Sequence, residues 1–163
     1  MASWQMFHDE APELADRVRA RFAANTHHVL GTLRADGTPR LSGTEVHFWG
    51  DDVVAGSMWQ ARKALDLQRD PRCAVHANPS DRHMVGGDAK FDAHAEEVTG
   101  AEHAAFYESL GGPDGTEGPP ADESHLFRFD LRQVILTEVN PDAGTLTVNL
   151  WQPGEGVRQM TRT

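Results

Sequence analysis

The sequence predicts a mostly β, α+β fold: an antiparallel sheet of about six to seven strands closed into a barrel, with about three peripheral helices. Three observations carry this. Most of the strand-like runs are joined by short turn signals such as "RADG" (34–37) and "NPDAG" (140–144), which connect antiparallel neighbours and are too short for parallel crossovers. Only three stretches show helical spacing, and two of them are inserted between strands. The chain of 163 residues, 39% hydrophobic, has the size and composition of one folded domain spanning 1–163.

The elements follow in order. Residues 9–24 are expected to form a helix, since Leu14, Val18 and Phe22 recur on one stripe with Ala11 and Ala15 beside them; Asp9 is the expected N-cap and Pro12 falls in the first turn. His28–Arg34 alternates as a strand and returns after the turn as Pro39–Phe48, with Gly50-Asp51 as the next turn. Asp52–Ser57 is a short apolar strand. Ala61–Gln68 changes to helical spacing and stops at "RDPR", because the residue before Pro71 is pushed out of the α region. Arg72–Ala77 and Lys90–Glu97 are the next strands, separated by a turn-rich segment. Thr99-Gly100-Ala101-Glu102 has the form of a capping box and opens a helix that Phe106 and Leu110 carry inward. "GGPDGTEGPPADES" marks a Gly/Pro/acidic loop over 111–125. Leu126–Val139 is a long strand whose alternation breaks at Val134-Ile135-Leu136, which calls for a bulge near Gln133 or burial of both faces. Thr145–Trp151 ends the predicted elements.

Charge and composition exclude several functions. A formal net charge of -10 lacks the cationic footprint of a nucleic-acid or anionic-membrane binder. No apolar run approaches the ~20 residues that span a bilayer, and the N-terminus does not read as a signal peptide. With a single cysteine, Cys73, no intrachain disulfide can form, and a cytoplasmic protein is the economical expectation. The nine histidines show no metal-ligand spacing; adjacent His27 and His28 point to opposite sides of a strand. No metal site is expected, and neither a GxSxG nor a P-loop motif is present.

Against this acidic background, "GSMWQARKALDLQRDPR" (56–72) places Arg62 beside Lys63, one of only two lysines. A strand end, a turn and a helix start present backbone N–H groups and the positive end of a helix dipole. Ser57, Arg62 and Lys63 would add a hydroxyl, a guanidinium and an ammonium for one phosphate. The alternative is a solvated first helical turn with Ser57 as a local cap. Trp59, in a polar turn, must pack on a neighbour, a second subunit or a planar ligand.

Three segments together carry a resemblance: "LGTLRADGTPRLSG", "VVAGSMWQARKALDLQRDPRCAVHANP" and "DAKFDAHAEEVTGAEHAAFYESL". In their order and spacing the chain resembles the pyridoxamine 5'-phosphate oxidase-like, flavin-binding split β-barrel superfamily, from about Ala24 to Leu110 and more weakly from Leu126 to Trp151. The resemblance implies a split antiparallel barrel and a homodimer with cofactor sites at the subunit interface. It implies FMN or deazaflavin (coenzyme F420) as cofactor, its phosphate held by Ser57, Arg62 and Lys63. Ser42, Thr44 and His47 on the second strand would lie along the ring and its side chain, and Trp59 belongs to the same candidate set. Oxidases acting on pyridoxamine phosphate carry basic residues where this chain has Ser42 and His47, so the implied reaction is hydride transfer to or from a different small organic substrate. The competing expectation is a non-catalytic binding protein for a flavin, haem or another planar ligand.

Overall fold

The computed structural model describes residues 1–79, 82–111 and 123–163. The chain begins with a helix that the sequence pattern did not suggest, α1 (Trp4–Glu10), capped by the Ser3 side chain on Met6 N–H and burying Trp4 and Phe7. It ends at Ala11, which Pro12 forces out of helical geometry (φ -149°, ψ 64°). Asp9 therefore lies inside α1 and is not an N-cap, and α2 (Pro12–Ala23) starts with Pro12 in its first turn. Leu14, Ala15, Val18 and Phe22 form its buried stripe as expected.

Nine strands follow among the described residues: β1 (His27–Leu33), β2 (Pro39–Glu45), β3 (His47–Trp49), β4 (Asp52–Met58), β5 (Arg72–His76), β6 (Asp88–Val98), β7 (Ser124–Asn140), β8 (Thr145–Gln152) and β9 (Gly156–Arg162). Two more helices, α3 (Arg62–Arg69) and α4 (Gly100–Leu110), stand between them. Every pairing is antiparallel, in the order β2-β1-β5-β6-β7-β4-β3, with β8 on β7 and β9 on β8. The expected single return strand Pro39–Phe48 is divided at Val46, and this division shapes the fold. β2 and β3 lie at opposite ends of the strand order yet are joined by that one residue. The sheet must curl to bring its ends together, but no ladder joins β2 to β3 or β4, so it stays open along that seam.

The interrupted alternation in β7 is a bulge. Asp92 faces Gln133 while Ala93 faces Leu131, leaving Arg132 as the extra residue. The phase shift keeps Phe127, Phe129 and Leu131 buried before it and Val134 and Leu136 after it. The capping box does not form: Thr99 occupies the N-cap position without a side-chain bond, and Glu102 turns to Arg128. β9 is exposed over nearly its whole length, so its sequence carries no hydrophobic alternation to predict a strand. Most of the predicted 111–125 loop lies outside the described residues.

The main core joins α1 and α2 to the inner sheet face through Phe7, Phe22, Leu30, Phe91, Phe129 and Trp151. Trp151 Nε1–H donates to Glu10, tying β8 to the end of α1. A second, smaller core of Val54, Val98, Phe106, Tyr107 and Leu126 lies under α4, beside the open seam.

Candidate functional site

A groove of about 390 Å³ opens at the seam between β2 and β4, roofed by α4 and bounded by the start of α3. That volume falls within the range of about 300–1,000 Å³ of small-molecule sites. Its apolar wall is Phe106, Tyr107 and Leu110 from α4 with Met58 from the end of β4. Its polar groups come from Thr44, Glu45, His47, Ser57 and Lys63, with His27 at the rim.

Lys63 is the pivotal group. Its ammonium donates to the Gly43 carbonyl at 2.8 Å, and among the described residues it forms no ion pair. Burial pushes its pKa down, a shift that Glu45 partly opposes. A half-buried ammonium that donates to one neutral carbonyl retains two N–H donors, and with Glu45 acting on it through space but not in an ion pair, it can still meet an anion. Among the described residues the hydroxyls of Thr44 and Ser57 make only long 3.5 Å contacts with the carbonyls of the next residue, and both side chains are buried at the groove. Glu45 lies between two imidazoles, 3.5 Å from His27 Nδ1 and 4.0 Å from His47 Nε2. Burial lowers the pKa of His47, with Glu45 acting in the opposite direction. The His47 ring stands edge-on to Phe106, centroids 5.4 Å apart, which orients it in the groove.

Tyr107, the only tyrosine in the chain, forms the floor and was not singled out by the sequence. Its hydroxyl donates to the His125 carbonyl at 2.7 Å, and burial raises its pKa. It also explains Gly56: a Cβ there would lie 2.8 Å from the tyrosine oxygen. The available signal was the apolar stripe of α4, which includes Phe106 and Leu110 but not Tyr107.

Thr44, His47, Ser57 and Lys63 therefore converge on one groove, and three other expected residues lie outside it. Ser42 on β2 is paired with Leu30 of β1; it shares a face of the strand with Thr44 but lies two residues further from the groove and does not line it. Trp59 packs on a neighbour within the chain: it is stacked on His125 with centroids 4.6 Å apart and planes 9° from parallel, while remaining 55% exposed. Arg62 and Lys63 diverge because successive helical residues point about 100° apart. Arg62 opens instead on a separate cavity of about 340 Å³ with Arg34, Arg40 and Arg69 around the buried Asp66. Among the described residues Arg62 has no hydrogen-bonding or ionic partner, and no group of three or more side chains is arranged to hold a metal.

No protein-family model and no curated protein matches the sequence. Solved structures do match. A protein from Listeria innocua assigned as a pyridoxamine 5'-phosphate oxidase superposes with a TM-score of 0.63 at 14% identity, covering 76% of this chain and 97% of its own. An F420 reductase matches with a TM-score of 0.51 at 20% identity, over 65% of this chain and 86% of the other. A heme binding protein from Mycobacterium smegmatis matches with a TM-score of 0.53 at 17% identity, over 89% of this chain and 56% of the other. At these identities the likeness speaks for the fold. The open seam between β2 and β4, the all-antiparallel strand order and these superpositions together give this chain the split-barrel fold of the pyridoxamine 5'-phosphate oxidase-like proteins.

Proposed function

We propose that the groove holds a flavin-type cofactor, FMN or deazaflavin, and that the protein is an oxidoreductase moving a hydride between it and a small organic substrate other than pyridoxamine phosphate. The observation that carries this reading is the Lys63 ammonium, half-buried and in no ion pair among the described residues, at one end of a groove with an apolar aromatic wall. The residues present fit such a group: Phe106, Tyr107, Leu110 and Met58 offer a face for a planar ring, and Lys63, Ser57 and Thr44 offer donors to a phosphate-bearing arm. When bound, the cofactor supplies the hydride chemistry itself. The chain's residues bind, orient and exclude water. Lys63 fixes the anionic end, Tyr107 closes the floor, and His47 places an imidazole beside the ring.

The protein acts as a homodimer in this reading. Leu41, Met58 and Trp59 are 76%, 74% and 55% exposed, and Met58 lies at the groove mouth, where a second copy would cover it. A second reading, a non-catalytic binder of haem or another planar molecule, is supported by the match to a heme binding protein and by the two imidazoles at the groove.

Absorbance spectra of the purified protein with added FMN, deazaflavin or haem separate these readings. For FMN, Lys63→Ala is expected to weaken binding about 10- to 150-fold, equivalent to the roughly 1.5–3 kcal/mol of a charge-assisted hydrogen bond. Riboflavin, lacking the phosphate, should respond little. Arg62→Ala should have a smaller effect than Lys63→Ala, since Arg62 faces another cavity. Equal losses for FMN and riboflavin would remove Lys63 from the anionic end, and binding of haem alone would favour the second reading.

A further inference from the structure

The turn that delivers Lys63 to the groove is held by a side chain no part of the sequence pattern pointed to. His125 on β7 is 1% exposed and sits directly opposite Ser57 in the β4–β7 ladder. Its Nε2 accepts the backbone N–H of Gln60 at 3.2 Å, and its Nδ1 lies 2.6 Å from Glu97 Oε1. An N–H can be accepted only by an unprotonated nitrogen, so Nδ1 carries the proton and donates to the carboxylate. Glu97 is anchored in turn by Gln68 of α3 at 2.8 Å. Burial raises the Glu97 pKa, but the bonds from Gln68 and His125 outweigh it and the net shift is downward, which keeps the carboxylate an acceptor.

The Gln60 backbone needs such a hold. It adopts φ 58°, a left-handed conformation that side chains other than glycine disfavour. Three further contacts converge on the same turn: Trp59 N–H donates to the Glu123 carbonyl at 3.0 Å, Ala61 N–H to the Met58 carbonyl at 3.1 Å, and the Trp59 ring lies flat on the imidazole. Ala61 is the N-cap of α3 and supplies no side-chain cap, so the entry angle of the helix is set from outside it.

We propose that His125 is a positioning residue for the groove: its Nδ1–H tautomer, fixed by Glu97, holds the left-handed Gln60 turn and thereby aims Lys63 at the Gly43 carbonyl and the anionic end of the ligand. The ligand-binding part rests on the proposed reading of the groove, whereas the effect on the turn and on Lys63 is independent of it.

The test compares His125→Phe, which keeps a flat ring under Trp59 but cannot accept from Gln60, with His125→Gln, which can accept from Gln60 and donate to Glu97. Three quantities are read: exchange of the Gln60 amide, the ¹⁵N signal of the Lys63 ammonium, resolvable because the chain has only two lysines, and FMN affinity. In His125→Phe, Gln60 exchange should accelerate at least about tenfold, the Lys63 signal should move towards that of a freely solvated ammonium, and FMN affinity should fall about tenfold. His125→Gln should restore all three. Imidazole ¹⁵N shifts of the unsubstituted protein should show a protonated Nδ1 and a bare Nε2. Unchanged Gln60 exchange in His125→Phe, or equal loss in both variants, would overturn the proposal. If His125→Phe does not fold, Glu97→Ala addresses the same point by removing the acceptor that fixes the tautomer; a Gln60 amide as protected as before would again refute it. If the unsubstituted protein binds no FMN, the reading of the groove fails while Gln60 exchange and the Lys63 signal still decide the positioning role.

Discussion

Replacing Gly56 with alanine tests how the groove floor is built. The new Cβ would fall 2.8 Å from the Tyr107 hydroxyl oxygen and 3.6 Å from its Cζ. Ordinary contact begins at 3.4 Å, so the two atoms must separate by about 0.6 Å. The tyrosine cannot simply swing away, because its hydroxyl is buried on the His125 carbonyl at 2.7 Å and its ring packs on Phe106. Overpacking of this kind costs about 1–3 kcal/mol, and disturbing the hydrogen bond adds roughly 0.5–1.5 kcal/mol. Against this, alanine restricts the unfolded chain and recovers about 0.4–1 kcal/mol. The net expectation is a loss of about 0.5–4 kcal/mol, or roughly 1–16 °C in Tm for a chain of this length. Thermal unfolding monitored by circular dichroism reads it directly. Tyr107→Phe supplies the control, since it removes the oxygen that the methyl group meets. In the double substitution the two costs should fall short of their sum by about 1 kcal/mol or more. Full additivity, or a Gly56→Ala protein as stable as the original, would refute this account of the floor.

Two further outcomes follow from buried polar groups. Asp66 accepts from Arg40 at 2.6 Å, Thr32 at 2.9 Å and Arg69 at 3.0 Å; burial raises its pKa, but these partners outweigh it and hold the carboxyl below its usual value. A depressed folded pKa stabilises the protein above the unfolded value of about 3.9 and loses that stabilisation as pH falls below it towards the folded pKa. Asp66→Ala should therefore cost about 1.5–3 kcal/mol at neutral pH in denaturant titrations, because the arginines it leaves behind are partly exposed, with a smaller difference in strong acid. Cys73 is half-buried with its thiol pushed up to about 12 by burial, so a thiol reagent at pH 8 should react slowly with the folded protein and rapidly once it is unfolded. Rapid reaction in the folded state would contradict that environment.

Much of the fold was legible because its determinants are local. Alternation, turn residues and proline placed most strands and the helices over 12–23, 62–69 and 100–110 to within a few residues, since each signal acts through the backbone of its own segment. The bulge in β7 announced itself as a break of phase. α1 escaped notice because its stability comes from Trp4 and Phe7 packing on residues such as Phe48 and Trp151, remote in sequence. Thr99 and Glu102 show the converse: a local cap signal was overridden when Arg128, 26 residues from Glu102, offered the carboxylate a charged partner.

The sequence by itself determined the antiparallel architecture, the acidic character and the placing of Ser57 and Lys63 where a strand passes into a helix. Only the tertiary structure decided which neighbours share a site. Helical rotation sends Arg62 and Lys63 to different cavities, and Ser42, on the same face of β2 as Thr44, falls short of the groove that Thr44 lines. Folding then brings Tyr107 and His125 to the same turn from positions about 50 and 68 residues beyond Ser57. Periodicity reports what a residue's own element does with it; the groove is made by contacts between elements, and those depend on how the sheet curls through Val46.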